Sequence, residues 1–233
     1  MDPNHTVTGN TGTIFINGDW FPENYETSFV QKGDGYRCRE WGFDRRDPRW
    51  KITSFWCFDA TFGISPTETT DVLVKVNEND WPSARDAAEH AETYSIAVGR
   101  LPYVLRRDLE TITIHDGVEA FGGGNRDILI HTAYAEQVYE PLNNLEETLV
   151  HEGAHTSLDG RIYGTEEWED AVDGDNKFSS NYAKDHPGRE DIAETYLVWF
   201  ATRYASEQFT EEALADWECY MGNRFRVFDD FSC

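Results

Sequence analysis

Residues 147–155 read ETLVHEGAH. The stretch ends an apolar run of helical period. It carries His151 and His155 four positions apart, with Glu152 beside the first. On an α-helix, side chains four apart lie on one face, so two imidazoles can grip one ion. A carboxylate at Glu152 then stands where it can take a proton from a water activated by that ion. The pattern predicts a helix over residues 142–158 with a catalytic metal site on it.

Two histidines leave such a site incomplete, because a catalytic zinc takes three protein ligands. Downstream, residues 189–200 read REDIAETYLVWF. Glu190 and Glu194 are four apart and project from one helical face. Ile192, Tyr196, Leu197, Trp199 and Phe200 suit a buried helix. A carboxylate facing such a core needs a partner, since an unpaired buried charge is costly. A metal ion is one. Two other acids lie nearer in sequence. Glu167 follows Gly164 and Thr165, and Asp159, four residues past His155, is expected to point off the helix end.

The neighbouring motifs sort these options. The metzincin pattern HExxHxxGxxH is absent, because Leu158 and Arg161 occupy its Gly and last His positions. Residues 164–167 (GTEE) begin like the Gly-Thr-x-Asp element of aspartate-liganded zincins, but Glu167 replaces the Asp and no Tyr-Gly follows. Residues 180–184 (SNYAK) followed by 189–194 (REDIAE) resemble the gluzincin metallopeptidases, among them the catalytic domain of anthrax lethal factor. The likeness spans residues 145–205. It implies zinc held by His151, His155 and Glu190, with Glu194 supporting a ligand histidine. It also implies Glu152 as general base and Tyr182 as donor to the oxyanion. The gap from Tyr182 to Glu190 is one residue longer than in lethal factor, so His186 is kept as an alternative to Tyr182, and Glu167 as an alternative ligand.

The rest of the chain is read around this site. Residues 71–76 and 111–115 and 127–135 predict strands, residues 82–101 a helix, and Gly122–Gly124 a flexible turn. Helices are expected near 166–172, 189–206 and 210–221. The resemblance implies a zincin-like α+β fold, with Ile128–Tyr134 as the edge strand beside the site helix. Residues 11–64 are aromatic and turn-rich, and residues 1–70 are read as a β-rich N-terminal region. Residues 71–233 are read as the catalytic domain.

Asp plus Glu number 44 and Lys plus Arg 20, a net charge of −24. Such a surface repels nucleic acid and anionic membrane and fits cationic substrates. No apolar stretch approaches the ~20 residues of a membrane span. The N-terminus has neither the basic start nor the apolar core of a signal peptide, so the chain is read as either cytosolic or a mature secreted form, and its cysteines favour the second. Four cysteines in two local pairs suggest Cys38–Cys57 and Cys219–Cys233, one of three connectivities. Asn4 opens the one glycosylation sequon. Asp170, Asp173, Asp175 and Asn176 raise calcium as a second ion, though not with EF-hand spacing. His115 and His131 are expected to be structural, with His131 able to touch substrate. The expected activity is zinc-dependent hydrolysis of peptide bonds in a polypeptide substrate. The alternative is a zincin without turnover that serves as an extracellular binding or matrix protein.

Overall fold

Alternating β-branched and aromatic residues build one mixed six-stranded sheet on which the helices pack. The computed structural model describes residues 35–63, 69–175 and 177–231. Strands β1 (Tyr36–Asp44) and β2 (Asp47–Gly63) form a long antiparallel hairpin. β2 pairs antiparallel with β3 (Thr69–Asn77), and β3 pairs parallel with β4 (Thr111–His115). The sheet therefore runs without interruption across residue 70. β4 pairs parallel with β6 (Asp127–His131), and β5 (Gly122–Gly124) closes that side antiparallel, giving the order β1-β2-β3-β4-β6-β5. The fold is thus α+β.

Burial explains the sequence of each strand. β6 lies between two neighbours, and all five of its residues are buried. β3 buries Val72, Val74 and Val76 on the helical side, and β2 adds Phe58, Ala60 and Phe62. Helix α1 (Ala84–Gly99) starts after Ser83, whose hydroxyl accepts from Asp86 N, and buries Ala87, Ala91, Tyr94 and Val98. That 4-3-4 spacing is one helical stripe laid on the sheet. A short helix α2 (Tyr103–Arg106) comes next.

Two expectations about the sheet edge change. Gly122–Gly124 is a strand, not a flexible turn, and it is β5 that forms the edge. Asn125 and Arg126 both have positive φ (51° and 61°), as a tight hairpin turn between β5 and β6 requires. The strand from Asp127 stops at His131, and residues 132–142 form short helical turns. Ile128 is accordingly interior, with β5 covering it.

The site helix is α3 (Leu145–Ser157), beginning three residues later than expected. α4 (Glu166–Gly174) and α5 (Asn181–Asp185) lead to α6 (Asp191–Tyr204), which is buried along most of its length. α7 (Glu211–Phe231) continues ten residues past the expected end, with a break in helical geometry at Met221, and packs Phe228 against Trp168, Tyr196 and Trp199.

The hairpin tip is bonded to three strands of the sheet. The end of β1 crosses one face of the sheet. Trp41 O accepts from Lys75 Nζ on β3 (3.0 Å), Phe43 O pairs with His115 Nε2 on β4 (3.0 Å), and Asp44 Oδ1 with His131 Nε2 on β6 (3.3 Å). Arg45, in the turn, reaches Phe121 O beside β5 at 2.6 Å. Cys38 and Cys57 are joined by a disulfide across this hairpin. Cys219 is exposed on α7, and its expected partner Cys233 lies outside the described residues, as does Asn4. The aromatic residues of the hairpin divide between core (Phe55, Phe58, Phe62) and surface (Trp41, Trp50).

Candidate metal centre

α3 projects His151 and His155 from one face toward the start of α6. Glu190 is the residue just before that helix. Its N–H donates to His186 O, and its own carbonyl accepts from Glu194 N, both at 2.9 Å. The helix start therefore fixes the direction of its side chain. Three atoms converge: His155 Nε2 lies 3.1 Å from His151 Nε2 and 3.1 Å from Glu190 Oε2, and His151 Nε2 lies 3.3 Å from the same oxygen. Ligand atoms on a tetrahedral ion with bonds of about 2.0–2.1 Å are spaced at about 3.3 Å. The group can hold a metal ion. Among the described residues it is the one cluster of such side chains.

The outward nitrogens are also held. His151 Nδ1 is 3.1 Å from Glu194 Oε1, and His155 Nδ1 is 2.8 Å from Asp159 Oδ2. Each Nδ1–H donating to a carboxylate leaves a lone pair on Nε2. Two lone pairs and a carboxylate oxygen pointing at one spot repel unless a cation lies between them. Protons supply that charge in the metal-free protein. Burial opposes charging of His151, but hydrogen bonds to Glu190 and Glu194 outweigh it and bring its pKa to about 10. Burial likewise opposes charge on His155, and bonds to Asp159 and Glu190 raise it to about 9. Glu190 is pulled the other way. Its burial favours the neutral acid, yet the two histidines hold it far below the usual carboxylate range.

Comparison with protein-family models, curated proteins and solved structures gives no match.

The remaining groups line a cleft of about 390 Å³ over the three convergent atoms. Glu152 is 8 % exposed, and burial raises its carboxyl pKa, partly offset by the nearby histidines. Tyr182 on α5 is half exposed at the cleft mouth, on the same wall as Glu190. Burial and that carboxylate both raise the phenol's pKa. His186 is exposed behind Tyr182, its ring 5.2 Å from the tyrosine ring and outside the cleft wall. Glu167 is exposed on the first turn of α4 and also outside the wall.

Of the other expected groups, Asp170 and Asp173 are exposed on α4, while Asp175 and His131 are engaged within the protein. Asp175 accepts from the N–H groups of Asn223 and Arg224 and pairs with the Arg224 guanidinium at 3.3 Å, while Asn176 lies outside the described residues. His131 is fully buried against Asp44 and is out of reach of a substrate.

Three residues contribute in ways the sequence reading does not assign. Asp159, expected to point off the helix end, turns back onto His155. The i, i+4 spacing carried that signal, since such pairs meet on a helix surface. Gly123 presses against the site helix so closely that a Cβ there would lie 2.0 Å from Glu152 O. Arg45 reaches the cleft wall across 76 residues of sequence, a contact with no local signature.

Proposed function

We propose that this chain is a zinc-dependent peptidase in which Glu152 is the general base. One observation carries the reading. Three ligand atoms of the His/His/Glu type converge at 3.1–3.3 Å, and both imidazoles are oriented by acids on their far nitrogens. Two imidazoles and one carboxylate make a ligand set suited to zinc with an open fourth position. An antiparallel edge strand beside the site helix supports the zincin-like fold implied by the motifs. The Cys38–Cys57 disulfide supports an oxidising, extracellular setting.

When bound, zinc would polarise a carbonyl and lower the pKa of a water to about 7. His151, His155 and Glu190 would hold it. Glu152 lines the same cleft, where it takes the proton of the attacking water and delivers it to the leaving amine. Tyr182, at the cleft mouth, donates its hydroxyl to the oxygen that becomes negative.

The test pairs metal analysis with cleavage of an unstructured protein such as casein. Wild-type protein is expected to hold one zinc and to cleave. Glu152→Gln is expected to hold zinc while losing about 10²–10⁴ of the rate, the usual weight of a general base. Cleavage at full rate by that variant would remove Glu152 from the role. The exposed Trp41 and Trp50 favour the second reading, a binding protein that uses the hairpin surface. Stoichiometric zinc without cleavage of any polypeptide would select it.

A further inference from the structure

The cleft does not end at the metal. A second hollow of about 300 Å³ lies over β5, and Arg45, Gly123 and Arg189 line both. The two spaces meet at these residues. Their charges differ sharply. The metal end is walled by Glu147, Glu152, Asp159, Glu190 and Glu194. The hollow over β5 has Asp127 as its one acid, and that carboxylate is already bonded to Thr111 and Thr113 beside Lys75.

Arg45 is held at the junction. Its Nη2 donates to Phe121 O at 2.6 Å and lies 3.1 Å from where a Cβ on Gly122 would stand. Among the described residues it forms no ion pair, so the rest of its five donors remain for a ligand. Arg189 is largely exposed on the facing side, with Nε 3.5 Å from Glu190 Oε1. A chain with 44 acids and 20 cations thus sets two guanidinium groups where its clefts join.

We propose that Arg45 and Arg189 bind one carboxylate of the peptide substrate on the β5 side of the scissile bond. The inference rests on the peptidase reading and names the substrate class for the same site. Planar guanidinium donors match a carboxylate in two parallel hydrogen bonds. The net charge of −24 sets a limit. It repels an acidic run at long range, while a contact pair acts well inside the Debye length of about 8 Å at physiological salt. The ligand is therefore a single carboxylate, either an Asp or Glu side chain or the chain terminus.

The experiment uses fluorescent peptides that place Glu or Gln at successive positions around one cleavable bond, each with a free or an amidated C-terminus. Cleavage by the zinc-loaded enzyme is measured, and binding to the metal-free protein is measured separately by anisotropy. Glu is expected to exceed Gln by about 10-fold or more at one position, the scale of a charge-assisted hydrogen bond. If the terminus is the source, the same gap separates free from amidated peptides. Arg45→Gln and Arg189→Gln should each shrink the gap, and Arg45→Lys should restore part of it. Thermal melts confirm that the variants fold. Equal cleavage and binding of all peptides, or a preference unchanged in both Gln variants, overturns the proposal. Selective binding that depends on Arg45, without any cleavage, upholds the carboxylate site and overturns the peptidase reading instead.

Discussion

Each side chain around the proposed metal has a separable task, and substitution can tell the tasks apart. Glu190→Ala removes one of the three convergent atoms, and stoichiometric metal content should be lost on dialysis. Glu194→Gln and Asp159→Asn leave all three atoms in place but loosen the imidazoles. Metal affinity should then fall about 10- to 100-fold, the usual weight of such orienting partners, as read by competition with a chelating dye. Unchanged affinity in both would mean that packing alone orients the rings. Tyr182 poses a sharper question, because it lines the same cleft wall as Glu190. If its work is on the oxyanion, Tyr182→Phe lowers kcat by about 10²–10³ with metal affinity unchanged. A variant that loses metal instead would make Tyr182 a support for the ligand.

At the scale of elements, β5 and α3 are the pair that fixes the cleft. The backbone of Gly123 packs on the backbone of Glu152, and Gly124 N donates to Thr156 Oγ1 at 3.1 Å. Gly123→Ala must push strand and helix apart, since a Cβ there meets a carbonyl oxygen rather than a flexible side chain. Overpacking of this kind costs about 1–3 kcal/mol. Urea unfolding should show that loss, together with weaker metal binding. Gly160→Ala is the control, since nothing lies within 4 Å of its added Cβ. Equal behaviour of the two variants would mean that β5 yields freely. This pair also shows what the sequence could reveal. TITIH at residues 111–115 is readable as a strand, because alternation and β-branching mark it directly. Gly122–Gly124 has no side chains to carry a pattern, so the edge strand is hidden. Only the succeeding Asn125-Arg126 turn hints at a hairpin. His151, His155, Glu190 and Glu194 are legible because helical spacing fixes where they point. Arg45 is not, because its place depends on the hairpin crossing the whole sheet.

Across the whole molecule, two buried polar clusters tie distant segments together. In the first, Arg224 on α7 lies 3.1 Å from Asp191 and 3.3 Å from Asp175, with each side chain no more than 2 % exposed. Asp191 directly follows Glu190, so the C-terminal helix anchors the start of α6. Arg224→Met strands two carboxylates and should cost about 3–5 kcal/mol in urea unfolding. The second cluster joins the hairpin tip to the sheet. His115 Nε2 donates to Phe43 O while Nδ1 accepts from Asn77 at 2.9 Å, which fixes the neutral ring. Burial lowers its pKa from 6.5 to about 4, although Asp44 and Asp80 pull the other way. In the unfolded chain His115 takes up its proton near pH 6.5, but in the fold only near 4. Stability is therefore full above pH 6.5 and is lost as pH falls toward 4, by about 3 kcal/mol from this group. His151 and His155 do not share that window. Their raised values place their stabilising effect below pH 6.5 and its loss between 6.5 and about 10. The measurement is urea unfolding of metal-free wild type and His115→Gln from about pH 7 to 4, since the difference between the two curves cancels the shared carboxylates. The wild-type curve should fall more steeply. Parallel curves would mean that His115 is charged in the fold, and that the hairpin tip is held by Asp44 and Arg46 without it.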